Sequence, residues 1–206
     1  MENKKYKMSF TAGTLLHKES VTIAELYLEL GDWKLTMEQA ISSNILQTRT
    51  TSSAKRINAE TVNRLKCLND DELKLLLEGS HQEQVEIVWL AICRYYPFIR
   101  DFSVEVIRDK ISTFSSKLSH EDFNIFFNSK MQWHEELEDI AETTRHKLRQ
   151  VLFKMLSEAK FLNKDNTISL LMLSPRVVSL INRTSTEELL IYPVTDRQLQ
   201  GYSNDQ

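Results

Sequence analysis

The sequence predicts an all-α fold, a compact multi-helix globule with helix-turn-helix elements, and three observations predict it. Only four Gly and three Pro occur in 206 residues, too few for sheets joined by tight turns. Long segments repeat apolar residues at helical spacing. Four capping-box patterns mark helix starts: Asn69-x-x-Glu72, Ser80-x-x-Glu83, Ser119-x-x-Asp122 and Ser185-x-x-Glu188, in which a side-chain oxygen and an acid satisfy the first free amides. With 41% hydrophobic residues the chain can bury a core, either as one domain or as two small ones. We divide it into an N-terminal helical subdomain (1–117), a C-terminal winged-helix-like subdomain (118–200) and a flexible tail, "GYSNDQ" (201–206).

The basic start, "MENKKYKMSF", is followed by no apolar h-region and is not a signal peptide. Its Lys4, Lys5 and Lys7 are a short arm that reaches DNA or, more simply, a solvated terminus. "SVTIAELYLELGDWKLTMEQAISSNI" reads as two helices around Gly31-Asp32, a candidate helix-turn-helix. A helix starting at the hydroxyl run Thr50–Ser53 turns Ala54, Ile57, Thr61, Leu65 and Leu68 inward and Ser52, Arg56, Asn63 and Lys66 outward, with Lys55 to one side. "HQEQVEIVWLAICRYYPFIRDFSVEVIRDKISTF" is one periodic stretch broken at Pro97 into two abutting or kinked helices. Its Trp89, Leu90, Ile92, Cys93, Phe98, Phe102 and Val106 are the expected centre of the core. The aromatics of "EDFNIFFNSKMQWHEEL" continue it, and "HEELEDIA" reads as an acidic helix. Beyond the helix "ETTRHKLRQVLFKMLSEAKFL", the polar turn Asn163-Lys164-Asp165-Asn166 between apolar flanks predicts a short β-hairpin. "LLIYPV" predicts another strand.

Catalysis finds no support. There is no Gly-rich phosphate loop, no nucleophile elbow and no H-E-x-x-H; "HEELE" lacks the second His one turn on. The five His (17, 81, 120, 134 and 146) are scattered and read as surface or capping residues. Cys67 and Cys93 fit no metal or redox spacing and read as reduced core thiols. No catalytic residue, metal site or cofactor is expected. The longest apolar run, "VEIVWLAIC", is about half a membrane span and contains Glu86, so the expectation is a cytoplasmic, monomeric protein without membrane contact.

Charge is segregated beneath a net −3. Residues 49–66 carry five bases against one acid, and 145–164 carry six bases against one; 70–86 carry six acids against one Lys, and 135–142 carry five acids with no base. In the second basic island, Leu148, Val151, Leu152, Met155 and Ala159 fall on one apolar stripe. The opposite face carries Thr143, His146, Lys147, Gln150 and Lys154, with Arg145 and Arg149 on a flank. The order of acidic helix, basic helix and polar hairpin is that of a winged helix-turn-helix, whose second helix enters the major groove. There Lys and Arg neutralise phosphates and Gln150 can pair bidentately with adenine. The plainer alternative is a solvated amphipathic helix. In the first island, Arg49, Thr50, Ser52, Ser53, Lys55 and Arg56 gather at a helix N-terminus, where free amides attract phosphate, and Asn63 lies further along. A simple cap needs only one of those hydroxyls.

"KKYKMSFTAGTLLHKES", "IAELYLELGDW", "NILQTRTTSSAKRINAETVNRLKCL", "EIVWLAICRYYPFIRDFSVEVIRDK" and "TTRHKLRQVLFKMLSEAKFL", in this order from Lys4 to about Pro193, resemble the BrxA family, small core components of bacteriophage-exclusion (BREX) defence systems. The resemblance implies a helical, non-enzymatic protein with helix-turn-helix elements that binds double-stranded DNA. It would work beside the system's methyltransferase, ATPase and phosphatase-like protein. One departure is Lys160, at the end of the basic helix, where a Gly would accept a left-handed cap cheaply. The rival reading is an interaction scaffold whose acidic and basic surfaces dock other components of the defence complex.

Overall fold

The computed structural model describes residues 5–204, and its regular elements are all helices. The helices are α1 (His17–Leu30), α2 (Trp33–Ser42), α3 (Thr51–Leu65), α4 (Asp70–Glu78), α5 (His81–Tyr95), α6 (Pro97–Phe102), α7 (Arg108–Ser112), α8 (His120–Met131), α9 (Glu142–Glu158), α10 (Pro175–Thr184) and α11 (Asp196–Asn204). A π-helical stretch, Ser103–Ile107, joins α6 to α7. Among the described residues no helix is long and apolar enough to cross a membrane.

Three predicted capping boxes form as expected at α4, α5 and α8. The fourth does not. Ser185 makes no side-chain cap, its segment Thr186–Ile191 is a 3₁₀ turn, and Glu188 instead pairs with Arg94. Pro97 separates α5 from α6 as its missing amide demands. Gly31 takes the left-handed conformation (φ 67°) that closes α1, and Asp32 caps α2 by accepting the Lys34 and Leu35 amides at 2.8 Å. That two-residue link folds α1 and α2 against each other and against α3.

α5 is the central helix. Every residue from Val85 to Cys93 is buried, and α1, α3, α4, α6 and α10 surround it. Trp89 is wholly inside, donating its indole N–H to the Ile191 carbonyl at 3.1 Å. Phe98 collects Phe123, Phe126 and Phe127 at centroid separations of 5.9, 5.2 and 5.9 Å, which ties α6 to α8 through edge-on ring contacts. The expected core residues are buried, except that Val106 lies at the core's margin.

The N-terminal arm is anchored by the residues between and after its lysines, while Lys7 itself stays exposed. Tyr6, Phe10 and Leu15 are buried, the Tyr6 hydroxyl donates to Asp101 at 2.6 Å, and Lys7 bonds the Tyr95 hydroxyl. Lys5 is exposed and Lys4 lies outside the described residues. His134 is likewise no surface residue, being 7% exposed and stacked on Tyr6 at 3.8 Å.

The winged-helix details are corrected. The turn 163–166 does form, with Asn163 Oδ1 accepting the Asp165 and Thr167 amides at 2.9 Å. Only isolated bridges flank it, Leu162 with Ile168 and Lys117 with Thr167, and no strand occurs among the described residues. Bonds do cross the turn, from Asn163 to the Thr167 carbonyl at 3.0 Å and from Ser169 to the Phe161 carbonyl at 2.9 Å. The other edge of the return arm takes residues 116–118, with Ile168 donating to the Ser116 carbonyl at 2.7 Å and Leu118 to the Asn166 carbonyl at 2.9 Å; the pairing is too short to make a strand. "LLIYPV" enters a 3₁₀ turn instead of a strand. "HEELEDIA" holds only a short 3₁₀ turn, Glu135–Leu137, so a ten-residue connection separates α8 from α9 where a compact helix-turn-helix has three or four. The tail is ordered through residue 204. Tyr202 accepts the Leu173 amide at its hydroxyl (3.0 Å) and the Asn182 amide at its carbonyl (2.8 Å), while residues 205 and 206 lie outside the described residues.

Candidate nucleic-acid interface

The first basic island begins in a folded loop. Asn44 Oδ1 accepts both the amide and the hydroxyl of Thr48 at 3.0 Å, and Asn44 Nδ2 donates to the Thr48 carbonyl. Arg49 follows, exposed, and Thr50 caps α3: its hydroxyl accepts the Ser53 amide at 3.1 Å and donates to the Ser53 hydroxyl at 3.0 Å. Thr50 and Ser53 are therefore spent on the cap, and Ser52 is the expected hydroxyl left fully exposed. Lys55 and Arg56 are exposed on the next turn. Among the described residues no carboxylate lies within 4.0 Å of Arg49, Lys55 or Arg56. The α3 N-terminus thus brings six of the seven expected residues together. Asn63 is half-buried and, at ~1.5 Å per residue, about 11 Å further along the axis than Arg56.

Arg64 leaves this island altogether. It is 1% exposed, pairs with Glu60 at 2.7 Å, and donates to the carbonyls of Thr14 (2.7 Å) and Gly13 (3.3 Å). The Tyr96 hydroxyl donates to the same Glu60 oxygen at 2.5 Å. Burial and that carboxylate hold the Tyr96 phenol well above its ordinary range. Arg64 thus locks the 13–15 segment onto α3, and Leu15 in turn donates to Glu158 of α9 at 2.9 Å. This segment, not a direct salt bridge, is what connects the two basic helices.

On α9 the apolar stripe is as read: Leu148, Val151, Leu152, Met155 and Ala159 are buried, joined by Phe153 and Leu156. Thr143, His146, Lys147, Gln150 and Lys154 are exposed. Lys154 stands 3.8 Å from Glu158, one turn on, with 65% of its side chain exposed, a contact of little energetic weight. The helix starts without a side-chain cap, leaving its first amides open. Arg145 and Arg149 do not join this face. Arg145 donates to the Asn124 carbonyl at 2.9 Å and Arg149 to the Asn124 side-chain oxygen at 3.0 Å. Both arginines line a cleft against α8. Asn124 was not foreseen, and only contact between α8 and α9 reveals it.

α9 ends cleanly despite Lys160. That residue itself adopts the left-handed conformation (φ 63°), and the Phe161 amide reaches back to the Leu156 carbonyl at 2.9 Å, with both side chains buried, as in a Schellman closure.

The acidic segment 70–86 is half internal, with Asp70, Asp71 and Glu78 exposed. Glu72, Glu83 and Glu86 are buried. Arg94 clamps Glu72 at 2.7 and 2.8 Å and Glu188 at 2.7 Å, and Glu83 accepts the Ser174 hydroxyl at 2.7 Å. The second acidic segment keeps Glu135, Glu138, Asp139 and Glu142 exposed, while Glu136 accepts the Tyr6 amide at 2.5 Å. Among the described residues no cluster of three or more His, Cys, Asp or Glu could hold a metal, and both cysteines are free.

The BrxA family model matches residues 4–185. The chain is 30% identical over 180 residues to a BREX protein BrxA of Escherichia coli O9:H4 (strain HS), covering 86% of this chain and 84% of that protein. It is 25% identical over 196 residues to a BREX protein BrxA of Paramagnetospirillum magneticum (strain ATCC 700264 / AMB-1), covering 93% and 96%. The crystal structure of an uncharacterized protein from Magnetospirillum magneticum shares the fold, with a TM-score of 0.81 over 93% of this chain and 99% of that one at 21% identity. The match to the family model across most of the chain, with the agreement in fold, places this chain in the BrxA family.

Proposed function

We propose that this protein is a non-enzymatic, cytoplasmic double-stranded-DNA-binding component of a BREX phage-defence system, working as a monomer beside the methyltransferase, ATPase and phosphatase-like components. Binding runs mainly through phosphate contacts from two faces, the α3 N-terminus in the 1–117 half and the outer face of α9 in the 118–200 half. The observation that carries this reading is the state of the cations. Arg94, Arg100, Arg108, Lys110, Lys130 and Arg176 are all ion-paired. Exposed cations with no carboxylate within 4.0 Å among the described residues include Lys18, Lys34 and Lys74, each apart from other bases along the chain. Arg49, Lys55 and Arg56, by contrast, gather at one helix end, and Lys147 shares the outer face of α9 with Lys154. Unpaired cations beside open helix-end amides suit phosphate. Gln150, exposed between Lys147 and Lys154, is the base-edge reader, so sequence preference is modest.

Helix-turn-helix character is most compact at α1 and α2, whose two-residue link supports α3. At α9 the longer connection makes the docking that of a single helix laid along the groove. The scaffold reading keeps one favourable observation, the exposed acids at 135–142. Reversing Lys147 and Lys154 to Glu together tests the DNA reading. Duplex affinity should fall by at least about a hundredfold, since each phosphate contact is lost and a repulsion gained. Unchanged affinity would remove α9 from the interface.

A further inference from the structure

Arg145 and Arg149 sit one turn apart on α9 and line a cleft of about 500 Å³ between α8 and α9, within the ~300–1,000 Å³ typical of small-molecule sites. Their only described hydrogen bonds go to Asn124. Neither has a carboxylate within 4.0 Å among the described residues. The Nε of each is buried without a partner, a costly state for a charged donor. Burial, and then the charge of Arg149, hold the Arg145 guanidinium below its ordinary pKa. The apolar lining is mostly closed off: Phe127 and Leu137 are 1% and 0% exposed, and the Arg145 guanidinium covers the Phe127 ring 4.4 Å from its centroid. Half-buried Met131 and Ile140 are the apolar side chains left open to the cleft. Glu121 and Glu142 also line the cleft and balance the two arginines in formal charge, so the site carries no surplus positive charge to hold a polyphosphate.

We infer that the α8–α9 cleft binds a nucleoside monophosphate, its phosphate on Arg145 and Arg149 and its flat ring against Met131 and Ile140. The planar guanidinium forks match phosphate oxygens bidentately. His146 borders the cleft while standing on the proposed DNA face, so ligand and duplex would share α9. A backbone phosphate of the duplex offers the same oxyanion, and the experiment separates the two sources.

The full-length protein, with its arginine side chains labelled at Nε by nitrogen-15, is titrated with AMP, inorganic phosphate, adenosine and ATP, by magnetic resonance and calorimetry. The inference expects saturable one-to-one binding of AMP, stronger than that of phosphate, adenosine or ATP, with both the Arg145 and Arg149 Nε resonances moving. Arg145→Gln and Arg149→Gln should each weaken AMP by roughly 10- to 100-fold, the range of one charge-assisted bond, while Lys147→Ala leaves it unchanged. Should either variant fail to fold, the Nε shifts of the unaltered protein still decide. Unmoved Nε resonances at about 10 mM AMP, well above a millimolar affinity, would overturn the inference. So would full AMP affinity in both variants. Loss of duplex binding in those variants, with no AMP binding in the unaltered protein, would assign the arginines to backbone phosphates and also overturn it.

Discussion

Replacing Arg64 by Gln, and Arg56 by Gln in a separate variant, asks the same chemistry of two cations on one helix. Arg64 is 1% exposed and gives up its 2.7 Å bonds to Glu60 and Thr14 and its longer bond to Gly13. Glu60 then keeps only the Tyr96 hydroxyl in a buried site. Breaking a buried ion pair on one side costs about 3–5 kcal/mol. At ~2–4 °C per kcal/mol for a chain of this size, Tm should fall by about 6–20 °C. Arg56 is exposed and unpaired, so its variant should melt within about 0.5 kcal/mol of the unaltered protein. Their DNA behaviour should be opposite. Arg56→Gln lowers the log–log salt slope of duplex binding by about 0.9, one phosphate, and Arg64→Gln, assayed well below its Tm, leaves the slope unchanged. Replacing both with Glu60→Leu and Arg64→Met should recover only part of the loss: the pair's own desolvation penalty disappears, but the buried Tyr96 hydroxyl and the Thr14 and Gly13 carbonyls lose their partners. Thermal melts by circular dichroism and anisotropy titrations read both quantities. An Arg64→Gln protein that melted like the unaltered one while losing a unit of salt slope would refute the reasoning.

Three further outcomes follow from local geometry. Lys160→Gly should raise stability by about 0.5–1 kcal/mol, since a non-glycine left-handed residue costs ~1–2 kcal/mol and glycine returns part of that as entropy; a lower Tm would contradict the Schellman closure. Arg94→Leu leaves Glu72 buried beneath an apolar side chain and should cost at least about 3 kcal/mol, read by urea denaturation, whereas exposed Lys66→Ala should cost almost nothing. The Glu83 carboxyl is held below its ordinary value first by the Ser174 hydroxyl and then by the Ser80 amide, and Asp122 is held low because the Ser119 amide and hydroxyl and Lys110 outweigh its burial. Such depressed acids stabilise the fold above the unfolded carboxylate range and lose that contribution as pH falls through it. Stability should therefore drop below about pH 4.5, and Glu83→Gln should flatten that acid limb.

What could be read from the sequence was local. Capping boxes at Asn69, Ser80 and Ser119, the break at Pro97 and the stripe of α9 depend on neighbours within a turn or two, and each formed. The polar turn at Asn163 also formed, but the pairing beside it stays at isolated bridges, and one of its partners, residues 116–118, lies about fifty positions away, beyond the reach of any local pattern. Buried charge was illegible for the same reason. Nothing in the sequence distinguishes Arg64 from Arg56: Glu60 stands four residues from each, a spacing that permits a pair with either without revealing which one is buried. The acidic run 70–86 looked like a surface, yet Glu72 and Glu83 close capping boxes and Arg94 reaches Glu72 from α5. Arg145 and Arg149 were placed on a flank, and only the approach of Asn124 shows which way they turn.

The central claim, that the exposed cations of α3 and α9 hold duplex DNA by its phosphates, is tested most directly by fluorescence anisotropy with a random duplex of about 30 base pairs across several salt concentrations. Arg49, Lys55, Arg56, Lys147 and Lys154 together predict a linear fall of log affinity against log salt, with a slope of about −3 to −5. A flat slope, or no binding at low salt, would contradict the claim and leave the segregated charges as surfaces for docking other proteins.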